Sequence, residues 1–135
     1  PGVTVEKKVG KLRINGVEAE VVDLPGIYSL TPYSIDELIA RNFIIEESSD
    51  VVVCIASAAN LERSLYLAIS LLELGANIVL DLNMIDLAER EGYKVDSAKL
   101  EDLLGVPVVE TIAKGNPISI RRAEASYVIL EEVEE

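Results

Sequence analysis

Three short loops in this 135-residue chain carry residue types that could bind a charged ligand. The first is Asp23-Leu24-Pro25-Gly26. A carboxylate at a strand end can hold Mg²⁺ through water, because Mg²⁺ keeps several waters and takes few carboxylates. Gly26 lets backbone come close to a phosphate, with its N–H aimed at an oxygen. The second loop is Asn83-Met84-Ile85-Asp86. A carboxylate accepts two N–H bonds side by side. Guanine offers such a pair at N1 and N2 and adenine does not, so Asp86 would select guanine. Asn83 both donates and accepts, which suits bracing a neighbouring loop and a base. The third loop is Thr111-Ile112-Ala113-Lys114-Gly115, where a backbone N–H could meet a base oxygen and the Lys114 stem could cover a ring. Near the start, Thr4 could offer its hydroxyl to Mg²⁺ and its N–H to a terminal phosphate.

Each loop also has a plainer reading. Asp-x-x-Gly is an ordinary strand-ending turn. Asn and Asp favour helix starts as readily as ligands. The third loop alone is unremarkable in composition, and Thr4 suits a β-strand. What gives the loops weight is their common position after strands.

The elements that place them alternate along the chain. Thr4 to Ile14 reads as a strand ending at Asn15-Gly16, a strong hairpin signal, and Val17 to Asp23 returns as its partner. Ser34-Ile35-Asp36-Glu37 reads as a capping box, followed by a helix with Ile35, Leu38, Ile39 and Phe43 on one face. Val51 to Ile55 and Ile78 to Leu82 are apolar runs that predict buried strands. Between them, Asn60 can cap a helix over Leu61 to Leu74 that stops at Gly75. A short helix follows around Met84 to Glu91. Asp96 caps another that carries Leu100, Leu103 and Leu104 and ends at Gly105. Val106 to Thr111 predicts a strand starting at Pro107. A last helix is expected from about Ser119 into the acidic end, with Glu131 to Glu135 fraying. A hairpin followed by helix–strand units predicts an α/β layer fold with a mostly parallel sheet, in one domain over 1–135. Ligands of such sheets sit outside the carboxyl ends of the strands.

Composition narrows the function classes. The formal charge is −12, with 24 acidic and 12 basic residues. That opposes nucleic-acid partners, whose phosphates are bound by Lys and Arg, and opposes adsorption to anionic membranes. There is no histidine, so His-based catalysis and His metal sites are excluded. The single cysteine, Cys54, lies in an apolar strand and reads as a small buried hydrophobe, in keeping with a reducing, cytoplasmic setting. No run of 18 apolar residues is present, and Pro1-Gly2-Val3-Thr4 does not read as a signal peptide.

The order Thr, Asp-x-x-Gly, Asn-x-x-Asp, Thr-x-Ala is the order of G-protein motifs, and longer stretches resemble one family. Pro1-Gly2-Val3-Thr4-Val5-Glu6-Lys7-Lys8 is similar to the first switch of the ferrous iron transporter FeoB, and Asp23-Leu24-Pro25-Gly26-Ile27-Tyr28-Ser29-Leu30-Thr31 to its second. Ser34 to Glu37, Ala40-Arg41, Asn60 to Leu67, Leu71 to Gly75 and Leu104 to Val109 continue the match. Met84 fits as well, where other G proteins carry Lys. The resemblance implies a three-layer, Ras-like GTPase domain that binds GTP or GDP with Mg²⁺ and hydrolyses GTP slowly, on the cytosolic side of a membrane domain that moves Fe²⁺. It implies Thr4 and Asp23 as Mg²⁺ and switch residues and Gly26 as a sensor of the terminal phosphate. Asn83, Met84, Asp86, Thr111 and Ala113 would form the guanine site. Ile27 follows Gly26 where many small G proteins carry a water-orienting Gln, which suits a slow enzyme.

The sequence also departs from the family. G-x-x-x-x-G-K-[ST], the loop that cradles phosphates, does not occur in these 135 residues. The family's first strand, that loop and its first helix are therefore expected to be missing, leaving a partial G domain without activity of its own. Loss of the middle strand would leave unpaired backbone and open apolar faces, covered by closure of the sheet or by a second copy of the chain. Ser57 and Ala59 stand where Asp and Thr are expected, and Ile112 where Ser or Val is common. A non-catalytic remnant serving as a folding or interaction module is the alternative reading. An unrelated domain of response-regulator type lacks the acidic pocket it would need.

Overall fold

A computed structural model of the chain describes residues 8–24, 35–47, 49–112 and 127–132. Strands β1 (Lys8–Ile14) and β2 (Val17–Asp23) form the expected hairpin, paired antiparallel from Lys8 opposite Asp23 to Ile14 opposite Val17. Its two-residue turn needs positive φ at both positions, which Asn15 (51°) and Gly16 (81°) supply.

Helix α1 (Ile35–Glu46) precedes strand β3 (Val51–Ser57). A single 3₁₀ turn, Ala58–Asn60, leads into helix α2 (Leu61–Glu73) and strand β4 (Ile78–Asn83). Asn60 occupies the N-cap position, but its side chain makes no capping hydrogen bond. Short helix α3 (Ile85–Arg90), helix α4 (Ser97–Leu104) and strand β5 (Val108–Glu110) follow. Asp96 does cap α4, accepting a 3.1 Å bond from the Lys99 amide. At the other end of α4, Gly105 takes the left-handed conformation (φ 71°) that lets its N–H reach the Glu101 carbonyl.

Strands β3, β4 and β5 are parallel, as the helix–strand alternation predicts. One face of this parallel unit is the core. Cys54, Ala56, Leu80 and Leu82 are fully buried there, in one cluster with Ala40 and Phe43 of α1, Leu67, Ala68 and Leu71 of α2, and Ala88 of α3. Alternate residues Val53, Ile55, Val79 and Asp81 face the other way and are half-buried.

The C-terminal expectation is corrected. Tyr127–Glu132 is a strand, β6, and not the end of a helix or a frayed tail. It lies between β2 and β3 and is antiparallel to both, giving the order β1-β2-β6-β3-β4-β5. The physical reason is twofold. Tyr127-Val128-Ile129-Leu130 is a β-favouring run. The facing edges of β2 and β3 also offer unpaired N–H and C=O groups that a strand satisfies on both sides. The sheet is thus continuous where the sequence suggested a gap. No helix among the described residues is long and apolar enough to cross a membrane.

Candidate functional site

The strand directions bring the predicted loops to one edge. β2 is antiparallel to β6, and β6 to β3, so β2 runs the same way as β3, β4 and β5. Asp23, Ser57, Asn83 and Thr111 therefore all lie at the carboxyl edge of the sheet. Asp23 is three strand spacings from β4, about 14 Å. The tight part of the site is at β4 and β5.

Thr111 holds that part together. Its N–H donates to the Leu82 carbonyl at 3.0 Å, and its own carbonyl accepts from the Ile85 N–H at 3.3 Å. Its hydroxyl stands 2.6 Å from Asp81 Oδ1 and 3.0 Å from Asn83 Oδ1. One threonine thus ties the last turn of β4 and the start of α3 to the loop after β5. Asn83 is buried, 9% exposed, where an unpaired amide would be costly.

Met84 makes the turn from β4 into α3. It adopts a left-handed backbone (φ 61°) and is 3% exposed. A bulky residue rarely takes that conformation, so packing must hold it there. Ile55 and Leu87 pack against it, and the Ser57 hydroxyl donates to its sulfur at 3.7 Å. Ser57 is held in turn, its N–H donating to Ser64 Oγ at 3.0 Å. Ser57, a departure from the expected family residue, is thus a buried brace beneath Met84. Nothing in the spacing of Ser57, Ser64 and Met84 along the chain signals this contact.

Asp86 sits in the first turn of α3, partly exposed. Its carboxylate is 3.5 Å from Arg90 Nη2, and Arg90 Nε donates to the Asp86 carbonyl at 3.4 Å. Among the predicted site residues, Asn83, Met84, Asp86 and Thr111 are brought together and Asp23 stands apart on the same edge. Thr4, Gly26 and Ala113 lie outside the described residues. A separate cleft of about 510 Å³ opens between Ala58–Glu62 and the stretch from Tyr93 to Leu103. None of the predicted site residues lines it.

Two titratable groups lie close to this site, Asp81 half-buried and Cys54 fully buried. Burial raises the Asp81 carboxyl above its ordinary range, partly offset by the Thr111 hydrogen bond. Burial, reinforced by the nearby Asp81, pushes the Cys54 thiol up to about 12. Cys54 is therefore an inert core residue, as expected. Among the described residues no group of three His, Cys, Asp or Glu is arranged to hold a metal. Asp23 offers a single carboxylate, which fits Mg²⁺, an ion that takes one or two and fills its remaining positions with water and phosphate.

A mixed sheet with Asn-x-x-Asp after one parallel strand and a Thr-led loop after the next defines the class: a G domain of the P-loop GTPase fold. The solved structures agree. The FeoB G domain from Methanococcus jannaschii superposes with a TM-score of 0.78 at 52% identity, covering 87% of this chain and 76% of that one. The cytosolic domain of the T. maritima FeoB iron transporter in a GDP form gives 0.79 at 41% identity, covering 90% and 48%.

The sequence model described as "Ferrous iron transport protein B" matches residues 1–120, and the chain belongs to that family. The Fe(2+) transporter FeoB of Legionella pneumophila (strain Lens) is 44% identical over 120 residues, which is 86% of this chain and 16% of that protein. A Fe(2+) transport protein A/FeoB fusion of Porphyromonas gingivalis is 44% identical over 114 residues, 84% of this chain and 14% of the fusion. The chain thus spans about a sixth of the length of these curated relatives.

Proposed function

We propose that residues 1–135 form one partial G domain that recognises guanine nucleotides for a ferrous iron transporter. The observation that carries this is the Asn83–Asp86 turn, clamped by Thr111 at the carboxyl edge of the sheet. Asp86 accepts N1–H and N2–H of guanine, Asn83 and Thr111 hold the pocket's back, and Ala113 contributes backbone. Asp23 stands at the same edge and would serve the phosphate end, as would Thr4 and Gly26. Mg²⁺ bound there would neutralise phosphate charge. Support comes from the related T. maritima cytosolic domain, solved in GDP and GMPPNP forms. By the same analogy the working partner is a FeoB-type membrane domain, with this domain on its cytosolic side.

These 135 residues supply base-recognising loops without a phosphate-cradling loop. Nucleotide affinity in this fold leans on the phosphate loop, so the chain alone should bind weakly and hydrolyse nothing. The continuous sheet favours a second reading, in which the chain is a self-closed, non-catalytic interaction module.

Titration of the purified chain with a fluorescent GTP analogue in Mg²⁺ separates these. The guanine reading expects competition by GDP and GTP but not ATP. It also expects Asp86→Asn to weaken binding by at least about tenfold, the loss of one charge-assisted bond or more. Equal competition by ATP, or unchanged affinity in Asp86→Asn, refutes it.

A further inference from the structure

Asp81 is a half-buried carboxyl that the guanine site does not itself use. Its only described hydrogen-bond partner is the Thr111 hydroxyl, at 2.6 Å, and the same hydroxyl is 3.0 Å from Asn83 Oδ1. A threonine hydroxyl has one hydrogen, so it cannot donate to both oxygens. The three groups form a complete chain if Asp81 carries a proton. The Asp81 O–H then donates to Thr111 Oγ1, and the Thr111 O–H donates to Asn83 Oδ1. The Asp81 O–H, the Thr111 hydroxyl and Asn83 Oδ1 are then all paired, and Asn83 is left with Nδ2 as its donor toward the ligand. If Asp81 is ionised, the Thr111 hydrogen turns to the carboxylate. Thr111 Oγ1 then faces Asn83 as an acceptor, against the Asn83 oxygen. The amide is relieved by rotating to present Nδ2 inward and Oδ1 outward.

We propose that Asp81 is a positioning residue for Asn83, acting through the Thr111 hydroxyl, so that the proton on Asp81 sets which end of the Asn83 amide faces the ligand. Asn83 turns Oδ1 toward the Thr111 hydroxyl, the orientation that a Thr111 O–H donating to Asn83 requires. The consequence for recognition rests on the guanine reading above. Guanine presents acceptors at O6 and N7. An outward Nδ2 suits them, and an outward Oδ1 repels them.

The surroundings favour the proton. Asp81 is flanked in the ladder by Ile55 and Val109, both apolar. The titratable neighbour on β3 is Cys54, neutral at ordinary pH because its thiol is pushed up to about 12. On β5, Glu110 is paired with Leu82 and so belongs to the opposite face, exposed. Helix α2 packs on that opposite face and holds Glu62, Arg63 and Glu73 in solvent. On α3, Asp86 and Arg90 engage each other. Among the described residues no cation faces Asp81 to favour its charge. Burial acts in the same direction and raises its carboxyl, outweighing the Thr111 hydrogen bond, which lowers it.

The test is nuclear magnetic resonance on the isotope-labelled 135-residue chain without nucleotide, following the Asp81 carboxyl carbon and the Asn83 side-chain amide from about pH 4 to about pH 8. The expected result is that the Asn83 amide resonances move with the Asp81 midpoint. In Thr111→Val, Asp81 still titrates and Asn83 no longer follows. An Asn83 amide that ignores the Asp81 titration, or follows it equally in Thr111→Val, overturns the proposal. A second arm measures fluorescent GTP-analogue affinity over the same range. It should fall by about tenfold above the Asp81 midpoint, the value of one donor lost. In Asp81→Asn, whose amide donates to Thr111 at every pH, affinity should stay flat. Absence of guanine binding at any pH sinks the functional reading alone, because the resonance arm still decides the relay.

Discussion

Replacing Ile129 with proline should loosen the sheet from its middle. Ile129 stands opposite Val22 on β2 and Val52 on β3, so its backbone lies between two partner strands. Those partners are 3% and 1% exposed, so water cannot replace a lost bond there. Proline removes the N–H, forfeiting one ladder bond worth about 1 kcal/mol net. It also strands a buried carbonyl at about 1–3 kcal/mol. The sum is about 2–4 kcal/mol before any clash of the ring with its neighbours. Against a total of about 5–15 kcal/mol this is a large fraction. With a urea dependence of about 2 kcal/mol/M, the unfolding midpoint should fall by about 1–2 M. Amide hydrogen exchange supplies the control. Residues 128–130 of the unaltered chain should exchange as slowly as the amides of β3. Fast exchange at 128–130, together with an unchanged midpoint in Ile129→Pro, would refute the placement of β6 and restore the frayed end that the acidic residues suggest.

Ser64→Ala should destabilise the chain more than Ser57→Ala, by urea unfolding. The first leaves the buried Ser57 N–H without its acceptor, at about 1–3 kcal/mol, whereas the second loses only a weak bond to the Met84 sulfur. The raised Asp81 carboxyl gives a signed pH effect. The folded chain holds this proton more tightly than the unfolded chain. Stability is therefore full below the unfolded carboxylate value and is lost as pH rises from there through the folded value. Asp81→Asn should remove that downward slope and be the more stable protein at neutral pH, measured by urea melts across the range. Cys54 should resist a thiol-reactive dye at mildly alkaline pH until the chain is unfolded, since it is fully buried and its thiol is pushed up to about 12. Prompt labelling of the folded chain would contradict its place in the core.

Local rules carried much of the fold. Asn15-Gly16 specifies its turn by the positive φ both residues tolerate. Val51 to Ile55 and Ile78 to Leu82 announce buried parallel strands by composition. Asp96 caps α4 through the Lys99 amide, three residues on. Asn83, Met84 and Asp86 were legible because their spacing is itself the motif. What was not legible depends on distant partners. The Thr111 hydroxyl meets Asp81 and Asn83 from 30 and 28 residues away. Asp81 is hidden inside an apolar run, where a sequence reading sees one charge in a strand and no partner for it. Ser57 looks like a missing ligand until Met84 and Ser64 are seen around it. The C-terminal strand was missed because its acidic neighbours suggest a helix end, while its pairing depends on two open edges formed more than 70 residues earlier.

The two ends of the candidate site therefore rest on different supports. Asn83 and Met84 are buried at the end of β4, and Leu82 beneath them is fully enclosed by the helices of the core. Asp23 reaches the same edge only through β2, which is joined to the parallel unit by β6. Any event that withdraws β6 would free the Asp23 end while leaving the Thr111 clamp intact. If the guanine reading holds, base preference should then survive in a chain whose phosphate end has come loose. Ile129→Pro is the variant that separates them: its Asn83 and Thr111 resonances should stay in place while those of β1 and β2 shift. Collapse of both sets together would show that the guanine end depends on β6 as much as Asp23 does.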